Sequence, residues 1–187
     1  MHAIAKRLSP SATTLLRTDH TKVLATFHKY ELGARPQVKQ ALVNTICLSL
    51  EIHAQLEEEI FYPAIRTANP GMVDKSIPEH DEMRRLIATL RGMDAGGGDY
   101  DQRFMDLMRT VVHHVADEET TLFPQAERVL AERLGELGAQ MTRRRLQLMM
   151  PHAAEMARNS ARAMPKNSML LGAGALLAGL FVLRRLR

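Results

Sequence analysis

Apolar residues recur at helical spacing along most of this chain. Leu15, Leu16, Val23, Leu24 and Phe27 form one stripe, which predicts a first helix beginning near Ser11 and ended by Gly33 and Pro36. A second stripe, Val38, Leu42, Ile46, Leu50 and Ile60, predicts a helix from about Gln37 to Ile65, closed by TANPG. The third begins around Ile77 and stops before Gly96, Gly97 and Gly98. The fourth starts near Asp99 and carries Phe104, Leu107, Met108, Val111, Val112 and Val115. Four amphipathic helices with short connections predict an all-α fold, an antiparallel up-and-down four-helix bundle.

Beyond Pro124 the helical pattern continues through AERVLAERLGEL, and Arg143, Arg144 and Arg145 then open a basic, Met-rich segment interrupted by Pro151. Met169 to Leu183 is an uncharged apolar run, followed by RRLR. As a helix that run would span about 22 Å, or about 28 Å if extended from Ser168 to Leu186 with arginine stems snorkelling, against a hydrocarbon core of about 30 Å. Its apolar residues surround the helix, so the reading is a C-terminal membrane anchor; a buried core helix or an interfacial peptide is the plainer alternative. Gly174 with Ala178, and Ala175 with Gly179, would offer small-residue faces for pairing two chains in lipid. The expected organisation is therefore an N-terminal tail (1–10), a bundle (11–130), a basic helical extension (131–167) and the anchor (168–187).

Composition narrows the function. The single Cys of the 187 residues excludes a disulfide-stapled scaffold and Cys-based zinc or iron-sulfur sites. With 4% aromatic residues and no Trp, but many Leu, Ala, Met, Glu and Arg, the chain leans to helix. The net charge of +4 suggests nucleic acid until it is divided. Up to Ala126 there are 14 basic and 17 acidic residues, and after it 11 and 4, giving −3 and +7. A nucleic-acid binder carries its basic footprint on the folded domain. Here the excess borders the apolar run, so anionic lipid is the expected partner and nucleic acid is not. MHAIAKRLSPSATTLL has no apolar signal core, which places the bundle in the cytoplasm, either anchored to the inner membrane of a bacterium or, alternatively, soluble.

An internal repeat carries the chemistry. HAQLEEEIFYP at His53 aligns with HVADEETTLFP at His114, and Asp19-His20 aligns with Glu79-His80. The offsets are 60 for His20 to His80, and 61 for His53 to His114, Glu57 to Glu118 and Pro63 to Pro124. His and Glu four apart share a helix face, so each copy aims an imidazole and a carboxylate at one point. Two such helices face to face, with His20 and His80 from their partners, gather four imidazoles and two carboxylates inside a bundle. Such a cluster needs a cation to neutralise it, and two metal ions fit the donor number. Twelve octahedral positions, less the protein donors and a bridging oxygen, leave roughly two for a small ligand.

The other residues rank lower. Glu58, Glu59, Asp117 and Glu119 fall on other faces, with solvated or supporting roles. His113 is structural, His28 lies two turns from His20 as a further candidate imidazole, and His2 and His152 sit in tails. Phe61, Tyr62 and Phe123 read as core or pocket wall, and Cys47 as inert and buried.

At LLRTDHTKVLATF, HAQLEEEIFYPAIR, PEHDEMRRLI and HHVADEETTLFP the chain resembles the hemerythrin-like, HHE cation-binding family of bacteria, over about residues 11 to 130. The resemblance implies a non-haem di-iron centre, two iron ions with an oxo or hydroxo bridge, held by His20, His53, Glu57, His80, His114 and Glu118, the two glutamates bridging. The family's oxygen carriers have a fifth histidine, and no His lies between His80 and His113 here; His28 or a tyrosine is left to take its place. The expected function is non-catalytic binding or sensing of dioxygen or a related small molecule. The alternative is an enzyme detoxifying peroxide or nitric oxide at the same centre.

Overall fold

The structure is a computed structural model and describes residues 9–163. Among the described residues every regular element is helical. Helix α1 (Ala12–Phe27) is capped by Ser11, whose side chain accepts from the Thr14 amide at 3.2 Å. Helix α2 (Pro36–Leu56) begins on a proline, which costs nothing there because the first-turn amides have no partners inside the helix. It does not run straight on to Ile65 as the periodicity predicts. A π-helical turn, Glu57–Phe61, intervenes before α3 (Tyr62–Ala68).

The same break recurs one repeat later. After a short 3-10 turn (Pro70–Val73), α4 (Ser76–Arg91) leads to α5 (Tyr100–Asp117), a second π-turn (Glu118–Leu122) and α6 (Phe123–Val129). The cause is visible in the sequence. Pro63 and Pro124 have no amide to donate and their rings crowd the carbonyl four residues back. Widening the turn relieves this, and the Tyr62 and Phe123 amides bond Glu57 and Glu118 carbonyls five residues back instead. Each π-turn opens on one of the two repeat glutamates.

Two apolar clusters fill the bundle, the first taking in residues of both π-turns. One contains Leu16, Leu56, Phe61, Ile65, Leu122 and Phe123; the other contains Val23, Ile46, Leu50, Leu86, Phe104 and Val111. Along α1, His20 falls between Leu16 and Val23, and along α2, His53 falls between Leu50 and Leu56, so the histidines mark the layer between the clusters.

The basic extension folds back. Helices α7 (Leu134–Met149) and α8 (Ala153–Ala163) are joined by a 3-10 turn, with α7 against α1 and α2 and α8 along α2. Met141 is fully buried in the first cluster. Gly138 permits the approach, because a methyl group there would overlap the carbonyl of Pro10. Arg144 and Arg145 of the basic run are spent on bundle carboxylates, Glu59 and Asp19. Among the described residues no helix is long and apolar enough to cross a membrane, and the expected anchor at 168–187 lies outside them.

Candidate metal centre

All six residues singled out by the repeat meet at one point. His20, His53, His80, His114, Glu57 and Glu118 are each at most 4% exposed. The four imidazoles turn Nε2 inward. His20 and His53 bring these atoms within 3.3 Å of each other, and His80 and His114 within 3.2 Å. Glu57 Oε2 lies 3.2 Å from His53 Nε2 and 3.3 Å from His80 Nε2. Glu118 Oε2 lies 3.3 Å from His20 Nε2 and 3.4 Å from His114 Nε2. Each carboxylate therefore touches one imidazole of each pair.

Three further acids hold rings from outside, and a fourth faces the remaining one. The Nδ1 atoms of His20, His80 and His114 lie 2.9, 2.8 and 2.8 Å from Glu119, Glu58 and Glu79. Asp19 lies 3.5 Å from Nδ1 of His53. With the proton of three rings engaged at Nδ1, the Nε2 lone pairs face the centre, the orientation a metal ligand needs. Asp19 and Glu79 escaped assignment from sequence, although the acid-His doublet in both copies was their signal. Their role depends on a neighbouring helix: each acid supports the histidine of the next long helix, not the adjacent one in sequence. Glu58 and Glu119 lie inside the π-turns, each one residue after the turn begins. Glu59 and Asp117 pair with Arg144 and Lys75 at the surface.

The donor set fits a cation. Among the described residues Glu57 Oε1, Glu118 Oε2 and His53 Nδ1 are buried without a hydrogen-bond partner, a costly state for a carboxylate unless a cation satisfies it. His53, Glu57, His114 and Glu118 offer ligand atoms all within 4.8 Å of one another. Burial lowers the affinity of His53 for a proton, but Glu57, Asp19 and Glu118 outweigh it and push its pKa up to about 10. Burial raises the Glu57 pKa, and His53 and His80 outweigh that to hold it well below the usual range.

Tyr62 completes the centre. Its hydroxyl donates to Glu118 Oε1 at 2.9 Å and lies 3.3 Å from Glu57 Oε2 and 3.4 Å from His80 Nε2. Burial and these carboxylates push its pKa far up, so it stays a donor. His28 and His113 are exposed and stand away from the cluster, and His2 lies outside the described residues. On another side, a void of about 10 Å3 opens among His20, His53 and His114 and the apolar Val23, Leu50, Val111 and Val115.

Comparison with known proteins agrees with this geometry. The model of the hemerythrin HHE cation binding domain matches residues 11–126, and the chain belongs to that family. The family is a cation-binding one and the buried His/Glu cluster could hold a metal ion, with iron the metal the family points to. A DNA nickase from Nostoc sp. is 32% identical over 110 residues, 58% of this chain and 31% of that protein, so the chain spans about a third of that relative's length. The fold is shared with the crystal structure of a hemerythrin HHE cation binding domain-containing protein from Mycobacterium kansasii, with TM-score 0.67 at 19% identity, covering 82% of this chain and 99% of that one.

Proposed function

We propose that the protein is a non-haem di-iron protein that binds or senses dioxygen or a related small molecule without turning it over. The observation that supports this most directly is the division of the cluster into two imidazole pairs, each carboxylate touching one imidazole of each pair. His20 and His53 would hold one iron, His80 and His114 the other, with Glu57 and Glu118 bridging. When bound, the iron pair supplies a redox-active cation with positions open to a diatomic ligand.

This chain's residues would do the rest. Glu119, Glu58 and Glu79 orient the rings and raise their basicity as ligands. Tyr62 would stand in for the missing fifth histidine, offering an O–H donor at the carboxylate edge. The void beside the imidazoles is of the order of one water molecule, so it excludes ligands much larger than a diatomic. The up-and-down arrangement is supported by the order of the clusters: α1 passes from the first to the second at His20, and α2 returns at His53.

The alternative, peroxide or nitric oxide detoxification, uses the same donors, with the Tyr62 hydroxyl beside the bridging carboxylates. Stopped-flow spectra of the reduced protein decide between the two: a stable, reversible dioxygen complex is expected, whereas catalytic loss of peroxide would defeat it. Iron content below about one per chain after aerobic reconstitution would overturn the di-iron reading. For residues 168–187 the proposal of a membrane anchor, with lipid contact and pairing of two chains through it, rests on the sequence. Deleting Ser168 to Arg187 should move the protein out of the membrane fraction, and an unchanged distribution would sink it.

A further inference from the structure

A second cavity, of about 310 Å3, lies between the bundle and the folded-back extension. Its apolar wall is formed by Leu48 and Ile52 of α2, Met149 of α7 and Met156 of α8. Its polar side is set by two buried donors. Asn159 is 3% exposed, although most of its neighbours on α8 face solvent, and its Nδ2 has no hydrogen-bond partner among the described residues. Arg145 spends both terminal nitrogens on Asp19, leaving its buried Nε without one.

Buried donors without partners are expensive, so two covered donors on residues that line one cavity imply an acceptor that they turn to meet. The hydroxyls of Thr45 and Ser49 do not compete for that acceptor, since each already donates to a backbone carbonyl of α2 at 2.8 Å. Charge narrows the acceptor further: Lys22 and Arg145 against Asp19 leave the lining with one positive charge in excess. The volume equals about ten water molecules at roughly 30 Å3 each, at the lower end of small-molecule sites.

We propose that this cavity is a binding site for a monoanionic amphiphile, a carboxylate head on an apolar body of about ten heavy atoms. The head group meets Arg145 Nε and Asn159 Nδ2 after a turn of these side chains toward the cavity, with Lys22 beside it, and the body lies against Leu48, Ile52, Met149 and Met156. Methionines suit this wall because their unbranched side chains adapt to more than one apolar shape. The site stands independently of the metal centre, although Arg145 also holds Asp19, which faces His53.

The test is isothermal titration calorimetry of the full-length protein, as purified, with sodium decanoate, 1-decanol and decylammonium as probes. Decanoate should bind at one saturable site, decanol at least about 10-fold more weakly, and decylammonium not measurably. Met156→Trp, which fills the cavity, should abolish decanoate binding, and Asn159→Leu should weaken it about 10-fold. No saturable decanoate binding, or decanol binding as tightly as decanoate, would overturn the proposal, as would unchanged affinity in both variants. Since the three probes are compared on the unaltered chain, a variant that misfolds does not blunt the test, and iron content measured on the same samples keeps the fate of the metal reading separate.

Discussion

The two halves of the repeat are alike in sequence and unlike in surroundings. In the second half, Glu79 stands 2.8 Å from His114 and Phe123 closes the corresponding corner, against His20. In the first half, Asp19 is drawn to Arg145 and lies 3.5 Å from His53, while Tyr62, in the register of Phe123, stacks on His80 and puts a hydroxyl into the centre. Among the described residues the extension helices pack chiefly on the first half, through α1 and α2. A duplicated site has thus become polarised: one half presents an O–H donor and a guanidinium-linked acid, the other an apolar ring and an acid committed to its histidine.

The severest challenge to the comparison removes a shared residue. His53→Ala and Glu118→Ala should cut metal content at least in half and lower the melting temperature by more than about 5 °C, because metal binding is folding energy in such a site. If the halves are equivalent as metal holders, His114→Ala should match His53→Ala in an assay of iron per chain.

Arg145→Ala comes next. It leaves Asp19 buried without its partner and should destabilise by roughly 3 kcal/mol in chemical denaturation. Among the described residues no arginine pairs with Glu79 in this way, so Glu79→Gln should instead spare stability and lower metal affinity by about 10- to 100-fold. A variant pair with the reverse pattern would show that the acids do not differ in role.

Metal-free protein gives a pH test. His53 has a folded pKa near 10 against an ordinary 6.5, so its stabilising contribution is present in full below 6.5 and is lost as pH rises through 10. The melting temperature of metal-free protein should therefore fall between pH 7 and 10. The loaded protein, whose His53 has no proton to give up, should lack this decline, and parallel curves would contradict a protonated network. The smallest effect expected is from Tyr62→Phe, which costs about 1 kcal/mol in metal-free protein and shifts the optical bands of loaded protein. Phe123→Tyr, adding a hydroxyl against His20, should not reproduce that shift.

Much of this was legible in the residues. The 3.6-residue period located the four long helices, and the repeat spacing named six side chains that do converge, because residues four apart on a helix share a face regardless of what surrounds them. The prolines following each motif were equally visible. What was not legible was that they open π-turns instead of being absorbed, which takes the backbone hydrogen-bond pattern to see.

The sequence by itself determined the elements, the doubled His/Glu motif and the division of charge, since each depends on local spacing and residue type. Tertiary structure alone decided which acid supports which histidine, that Tyr62 and not His28 reaches the centre, and that Arg144 and Arg145 belong to the bundle. Such pairings are set by the angle and depth at which one helix packs on another, and residues more than a hundred positions apart, as Asp19 and Arg145 are, carry no local sign that they will meet.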